Sequence, residues 1–171
     1  AEFLNRNIKC QMMKLPVGDF AWLAKEKKIE ENFEIFSSSQ ETKKELILDY
    51  IIERKRYDDL ASSIKGGRWG EQKYRLLNCG LRKPIYLIED FGVHRKSESL
   101  YQSMVQAISD AQIIDGLIIK QTDNYSETID YLSTMTKYLE AYYKEKTLFS
   151  CTKKELLLKK VDNNHFMTFK E

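Results

Sequence analysis

The sequence is poor in the residues that build zinc sites and disulfide frameworks. It contains three cysteines and two histidines in 171 residues, and no cysteines stand in a Cys-x-x-Cys pair. This usage argues against zinc and is typical of the reduced thiols of a cytosolic or nuclear protein. The sequence also lacks a Gly-x-Ser-x-Gly elbow and a glycine-rich phosphate loop, so neither motif predicts its chemistry.

Long apolar runs and a strong charge of one sign are absent as well. No apolar run approaches the roughly 20 residues of a membrane span, and no signal-peptide pattern opens the chain. Lysine plus arginine number 28 and aspartate plus glutamate 26, which leaves a net charge of +2. The chain as a whole is therefore not an electrostatic binder of nucleic acid, and such a function must depend on local patches.

The pattern along the chain predicts a mixed α/β domain, with a central mixed sheet flanked by helices. Residues 8–17 and 20–24 are interpreted as a hairpin with a turn at Gly18-Asp19, and residues 25–44 as a mobile loop. The other predicted elements are a strand from 45 to about 55, helices at 58–65 and 71–78, a strand at 84–89, a helix at 97–111, a strand at 113–119 and a helix at 124–146. Residues 147–171 are expected to be loosely structured, apart from the short apolar and basic run Glu155–Lys160.

The strand that begins at Glu45 is apolar on both faces, which indicates a central buried position. It ends in Glu53 and Lys55, which are two residues apart and therefore share a face. Because an unpaired buried charge is costly, a carboxylate and an ammonium group at such a strand end point to a function.

Asp19, next to Gly18, adds a second carboxylate to this pattern. Two carboxylates can hold Mg²⁺, and a lysine can position a water or stabilise negative charge, as phosphodiester hydrolysis requires. The competing interpretation is a turn aspartate together with an exposed Glu–Lys ion pair. On these short motifs alone, the structural interpretation is favoured.

Longer strings resemble the nuclease motif of the XPF family of structure-specific endonucleases. That motif is matched by Gly18-Asp19, by Glu53-Arg54-Lys55 and by Asp59. The resemblance extends through Leu15–Trp22, Ile52–Leu60, Gly67–Leu76, Pro84–Glu89 and Gln112–Gly116, and so covers most of the chain.

This resemblance implies a restriction-endonuclease-like PD-(D/E)XK fold and a DNA endonuclease that cleaves 3′ flaps, replication forks and nicked Holliday junctions in repair and recombination. It implies Asp19 and Glu53 as ligands of Mg²⁺, or of Mn²⁺ in its place, with Lys55 as a catalytic residue. Asp59 matches the last motif position, although a helix N-terminal acid is an equally good interpretation. The resemblance also implies a nuclear protein and a heterodimer with a nuclease-inactive subunit of the Eme type.

Two parts of the family pattern are not found in this sequence. They are an Asp-x-Arg-Glu element of the first strand, which adds acidic residues to the metal site, and a tandem helix-hairpin-helix module, which grips duplex DNA. We therefore interpret residues 1–146 as the nuclease domain and residues 147–171 as a linker leading toward such a module.

A basic helix face is the candidate DNA-binding surface. Arg68, Gln72 and Arg75 share one face if the helix begins early enough, and Arg56 and Lys73 lie nearby in sequence. A solvated basic face is the other interpretation, and the family resemblance favours DNA contact.

The helix at 124–146 has two apolar stripes, which predict either a subunit interface or a wide core contact with scattered exposed tyrosines.

Two other functions stay open on the sequence alone. One is a nuclease-inactive scaffold subunit of the same fold, which binds DNA or a partner. The other is an unrelated α/β protein-interaction domain.

Overall fold

A sheet with helices on both faces dominates the computed structural model, which describes residues 3, 6–26, 45–90 and 98–168. The elements of these residues are β1 (Phe20–Lys25), β2 (Glu45–Arg56), α1 (Tyr57–Lys65), α2 (Arg68–Leu77), β3 (Lys83–Glu89), α3 (Glu98–Ile113), β4 (Ile118–Thr122), α4 (Tyr125–Tyr143), β5 (Phe149–Cys151), α5 (Lys153–Leu157) and β6 (His165–Met167). From position 27 onward, the loop predicted at 25–44 lies outside the described residues.

The four-stranded sheet has the order β1-β2-β3-β4, with β1 antiparallel to β2 and the other pairs parallel. The predicted class, a central mixed sheet flanked by helices, is confirmed. In the described part of the chain, no helix is both long enough and apolar enough to cross a membrane.

The two faces of β2 and β3 belong to different parts of the core, because successive side chains of a strand point to opposite faces. On one face, Ile51, Tyr86 and Ile88 pack with residues of α1, α2 and α3. On the other face, Ile52 and neighbouring apolar residues of β3 pack against α4. From Ile51 onward, the odd-numbered residues Glu53 and Lys55 therefore lie on the face of α1 to α3, and Arg54 lies on the face of α4.

The predicted hairpin of residues 8–17 and 20–24 is wrong. Residues 8–15 form no regular strand, and β1 instead pairs antiparallel with β2, from Phe20 opposite Ile52 to Lys25 opposite Glu45. Local alternation cannot identify a partner that is distant in sequence, and the long central strand β2 offers β1 a complete edge of hydrogen bonds. The predicted turn is present, since Gly18 has a φ of 74°.

The predicted strand at 113–119 is displaced, because α3 continues to Ile113 and β4 begins only at Ile118. Ile113 is 82% exposed and Ile114 is 76% exposed. Gly116, with a φ of 69°, lies in the turn that follows the helix. A short apolar run cannot be assigned to helix or strand by periodicity alone, and this run spans a helix end and a turn.

The predicted loose structure of residues 147–171 is wrong for residues 149–168. β5 and β6 form a parallel pair, and α5 between them begins with a capping box formed by Thr152 and Glu155. Leu156 and Phe166 are 4% and 1% exposed. These apolar residues follow no clear period, and each fills a separate position in the core. The predicted role of this segment as a connection to a further module stays a prediction.

The two stripes of α4 divide between core and surface. Leu132 and Leu139 are each 2% exposed, and Met135 packs partly against the second core cluster. Tyr138 and Tyr142 are 61% and 48% exposed and stack on each other at a centroid distance of 6.0 Å. The helix thus combines a wide core contact with exposed tyrosines.

Changing Gly18 to alanine should destabilise the fold more than the same change at Gly67. Both glycines have left-handed φ values, of 74° and 73°, which cost alanine about 1–2 kcal/mol. A Cβ at Gly18 would lie 2.6 Å from Ile51 Cγ1, whereas a Cβ at Gly67 meets nothing within 4 Å. We expect overpacking to add about 1–3 kcal/mol at Gly18. Equal losses of unfolding free energy in urea would contradict this clash.

Candidate active site

Two short hydrogen bonds place Asp19 at the end of β2. The backbone N–H of Asp19 donates to the carbonyl oxygen of Ile52 at 2.7 Å, and Asp19 Oδ2 accepts from the N–H of Arg54 at 2.7 Å. The left-handed turn at Gly18 can approach β2 this closely because glycine has no side chain. A larger residue there would collide with Ile51. The carboxylate of Asp19 is therefore fixed next to the Glu53 position.

Glu53 is half-buried on the face of β2 that looks toward α2. Burial, followed by the charge of Asp19, raises the pKa of Glu53 above its ordinary value, and the charges of Lys55 and Arg75 oppose this shift. The two carboxylates are therefore close enough to interact electrostatically. A cation between them would stabilise both ionised groups.

Lys55 lies on the same face and is held by α2. Its Nζ donates a hydrogen bond to Gln72 Oε1 at 2.6 Å. Gln72, which the sequence predicts as a DNA contact, therefore orients the lysine of the site in this structure. Lys55 and Glu53 therefore both lie on the face of β2 that looks toward α2.

Tyr86 is a member of the site that sequence reasoning missed. It lies opposite Glu53 in the β2–β3 register, it is 0% exposed, and its hydroxyl has no hydrogen-bond partner among the described residues. Burial, with the charges of Glu53 and Asp19, raises its pKa. The ring of Trp69 packs edge-on against Tyr86 at a centroid distance of 4.7 Å.

The opposite face of β2 carries a buried ion pair that was also missed. Glu89, which is 0% exposed, accepts hydrogen bonds from Arg54 Nε at 2.9 Å and from Arg54 Nη2 at 2.6 Å. Burial alone would raise the pKa of Glu89, but the hydrogen bonds from Arg54 and Thr128 bring it below its ordinary value. The sequence predicts Glu89 only as the last residue of an apolar strand. Its pairing with Arg54 depends on the strand register.

Asp59 lies apart from this group. It is exposed in the first turn of α1, together with Asp58, where acidic residues interact favourably with the helix dipole. Asp59 is not among the charges that shift the pKa of Glu53. Its role in catalysis stays a prediction.

The predicted DNA-binding residues differ in how far they are engaged within the protein. Arg56 pairs with Asp58 at 3.3 Å, Lys73 Nζ donates to Asp115 at 2.5 Å, and Arg75 Nη2 donates to the carbonyl oxygen of Pro16 at 2.9 Å. Arg68 is exposed at the start of α2 and makes no hydrogen bond or ion pair with the described residues. A ligand could therefore bind Arg68 without displacing a contact that the described residues make with it.

The residues present suit a hard divalent cation. Mg²⁺ is usually bound by one or two carboxylates and completes its shell with waters and substrate phosphates. Asp19 and Glu53 supply two carboxylates, and the unpartnered hydroxyl of Tyr86 can donate to an oxygen or water beside them. Over the described residues, no group of three or more histidines, cysteines and acidic residues could hold a metal. Waters and phosphate oxygens would therefore supply the other ligands.

The chain is similar to proteins of a known domain family. The ERCC4 domain family matches residues 1–135. "Structure-specific endonuclease subunit MUS81" of Danio rerio is 43% identical over 156 residues, which is 91% of this chain and 25% of that protein. "Crossover junction endonuclease mus-81" of Neurospora crassa is 37% identical over 149 residues, covering 86% of this chain and 22% of that protein.

The solved structure of XPF from Aeropyrum pernix in a complex with DNA is also similar. It matches with a TM-score of 0.45 and 20% identity over 66% of this chain and 62% of that chain. The chain spans about a quarter of the length of the curated relatives it matches.

Glu53→Gln should stabilise the metal-free protein at neutral pH. The folded state raises the pKa of Glu53, so the ionised carboxylate is less favourable there than in the unfolded chain. This cost is present above the folded pKa and disappears below the ordinary value of 4.5, where both states are protonated.

Urea unfolding of wild type and Glu53→Gln, measured at pH 7 and again below pH 4.5, checks this prediction. The stability gain should be present at pH 7 and shrink in acid, and a pH-independent gain would contradict the electrostatic explanation. Glu45→Gln, at the other end of the same strand, is the control.

Proposed function

This chain belongs to the ERCC4-domain family, and on that premise we propose that it carries the catalytic site of a structure-specific DNA endonuclease. The observation that carries the proposal is the placement of Asp19, Glu53 and Lys55 together at the end of β2. The mixed sheet with helices on both faces is the restriction-endonuclease-like arrangement expected of this family.

Asp19 and Glu53 would hold Mg²⁺, with Mn²⁺ as a substitute. When bound, such a cation polarises the phosphate and lowers the pKa of a water. Lys55, oriented by Gln72, places its ammonium group where it can stabilise negative charge on the phosphate or position the attacking water. Tyr86 contributes a buried donor that can hold a water or a phosphate oxygen next to Glu53.

DNA would approach along α2. This helix carries Arg68 at its exposed start and Gln72 beside Lys55, so one helix connects the outer surface to the site. Arg68 would contact a phosphate directly, because it has no partner among the described residues that it must first leave. Arg56, Lys73 and Arg75 would add positive potential along the same edge, while keeping the contacts they make within the protein.

The substrates proposed are 3′ flaps, replication forks and nicked Holliday junctions, in DNA repair and recombination in the nucleus. The relatives' names support a branched substrate, since they include a crossover-junction endonuclease and a structure-specific endonuclease. The word "subunit" in the first of these names supports assembly with a second chain, for which we propose a nuclease-inactive subunit of the Eme type.

A scaffold subunit of the same fold is the second candidate. It would bind DNA or a partner without cleaving, and it would have no need of two facing carboxylates with a lysine. The repulsion between Asp19 and Glu53 destabilises the fold, and a scaffold that binds no metal has no use for it. This observation favours the catalytic proposal.

Asp19→Ala and Glu53→Gln should each abolish cleavage of a labelled 3′-flap duplex. Loss of one of two carboxylates removes cation binding, and a reduction in kcat of at least about 100-fold is expected. The measurement uses the full-length protein with its proposed partner subunit, in Mg²⁺.

Glu45→Gln is the matched control for this experiment, because Glu45 lies at the opposite end of β2 and pairs with Lys25 at 2.8 Å. It should cleave like the wild type. Unchanged cleavage by Glu53→Gln would move the chemistry elsewhere. No cleavage by the wild type, with the flap still bound, would favour the scaffold.

Arg68→Ala should weaken DNA binding and reduce its dependence on salt. Each phosphate contact contributes about one to the slope of log affinity against log salt, so the slope should fall by about one. Fluorescence anisotropy with the flap duplex in Ca²⁺ measures this slope. Lys137→Ala, an exposed change on α4 at the other face of the sheet, is the control and should leave the slope unchanged. Equal slopes for Arg68→Ala and wild type would contradict a phosphate contact.

A further inference from the structure

Arg54 lies between Glu53 and Lys55 in β2, and its side chain points to the opposite face of the sheet. There it forms two hydrogen bonds with Glu89, of 2.9 Å from Nε and 2.6 Å from Nη2. The side chain of Glu89 is 0% exposed and that of Arg54 is 27% exposed. A bidentate, charge-assisted pair fixes both the distance and the plane of the guanidinium. This pair thus fixes the end of β2 from the face of the sheet opposite the candidate active site.

Two threonines complete the surroundings of Glu89. Thr128 of α4 donates to Glu89 Oε2 at 2.6 Å, and Thr122 at the end of β4 lies 2.8 Å from the Thr128 hydroxyl, which leaves Thr122 as the donor. Both threonines are 1% exposed. The carboxylate of Glu89 on β3 is therefore bound by Arg54 of β2 and Thr128 of α4, and Thr122 of β4 supports Thr128; such elements fix a side chain more firmly than loops do.

The backbone of Arg54 connects this anchor to the site. Its N–H donates to Asp19 Oδ2 at 2.7 Å, and the N–H of Asp19 in turn donates to Ile52 O at 2.7 Å. A shift of Arg54 would move the carboxylate of Asp19 relative to Glu53. Of the described hydrogen bonds, none joins Glu89 to Asp19 or Glu53, so any effect of Glu89 on the site acts through Arg54.

We propose that Glu89 is a positioning residue, which holds Arg54 and through it the carboxylate of Asp19 beside Glu53. The inference rests on the proposed function, in which Asp19 and Glu53 bind a divalent cation. A neutral side chain at position 89 leaves the guanidinium without its charged partner and loosens the end of β2. The repulsion between the two site carboxylates then separates them, and the cation loses a ligand pair of fixed spacing.

The test compares Glu89→Gln with Asp49→Asn in the full-length protein. Asp49 is a matched control, because it is 4% exposed and accepts from Arg82 Nε at 2.7 Å, so its change disrupts a second buried pair of β2 away from the site. Both variants should unfold at lower temperature. Only Glu89→Gln should weaken Mn²⁺ binding without DNA, by about 10-fold in titrations followed by electron paramagnetic resonance.

Cleavage kinetics supply a second measurement on the same variants. Glu89→Gln should lower kcat by about 10-fold and leave KM for the flap duplex within about twofold, because DNA contacts on α2 are untouched. Asp49→Asn should leave both constants near the wild-type values. An equal loss of Mn²⁺ affinity in the two variants, or no loss in Glu89→Gln, overturns the positioning role.

Thr128→Val keeps the proposal testable if Glu89→Gln does not fold. It removes one hydrogen bond to Glu89, preserves volume and leaves the pair with Arg54, so Mn²⁺ affinity should fall by about threefold. Unchanged affinity in a folded Thr128→Val variant then counts against the role.

Glu53→Gln distinguishes a failure of the proposed function from a failure of the positioning role of Glu89. If Glu53→Gln loses Mn²⁺ binding and cleavage while Glu89→Gln keeps both, the proposed function stands and the positioning role is wrong. If Glu53→Gln keeps both, the site itself is wrong, and the role of Glu89 fails with it.

Discussion

Two backbone-mediated hydrogen bonds between the Gly18-Asp19 turn and the end of β2 hold together two carboxylates that repel each other. One runs from the Asp19 N–H to Ile52 and the other from the Arg54 N–H to the Asp19 side chain. Without this contact, Asp19 would be an ordinary turn residue and Glu53 a half-buried carboxylate at a strand end. The left-handed conformation of Gly18, packed against Ile51, lets the turn come close enough.

The site costs the fold some stability, and the rest of the sheet offsets that cost. β2 is buried on both faces, with Ile51 and Ile52 at 4% and 0% exposure, and it pairs along both edges. The buried hydroxyl of Tyr86, which has no hydrogen-bond partner among the described residues, adds a further unfavourable term, since an unsatisfied buried donor costs about 1–3 kcal/mol. Such concentrated cost beside a shared pair of carboxylates is typical of a binding site, where a ligand supplies the missing partners.

Sequence patterns located the centre of the fold and the candidate site, but not the contacts that support them. The apolar residues of β2 and the period of two at Glu53 and Lys55 depend only on local order, and both features are present in the structure. The pairing of β1 with β2, the pairing of Glu89 with Arg54 and the position of Tyr86 beside Glu53 depend on strand register between distant segments. The sequence predicts Gln72 as a DNA contact, since it shares a helix face with basic residues. A polar residue on a helix face carries no signal for an internal partner such as Lys55.

Successive side chains of β2 point to opposite faces of the sheet, so the proposed site residues and the residues that support them lie on different faces. Glu53 and Lys55, the proposed site residues, point toward α2, whereas Arg54 points into a network with the buried residues Glu89 and Thr128. One strand can carry the site residues and their support because adjacent residues face opposite sides at a spacing of roughly 3.3 Å. The support therefore lies one residue away from the proposed metal ligand Glu53, and its members Glu89 and Thr128 are buried. Asp19 lies on a turn, and its hydrogen bond from the Arg54 N–H connects it to this buried network, which therefore helps it to resist the repulsion from Glu53.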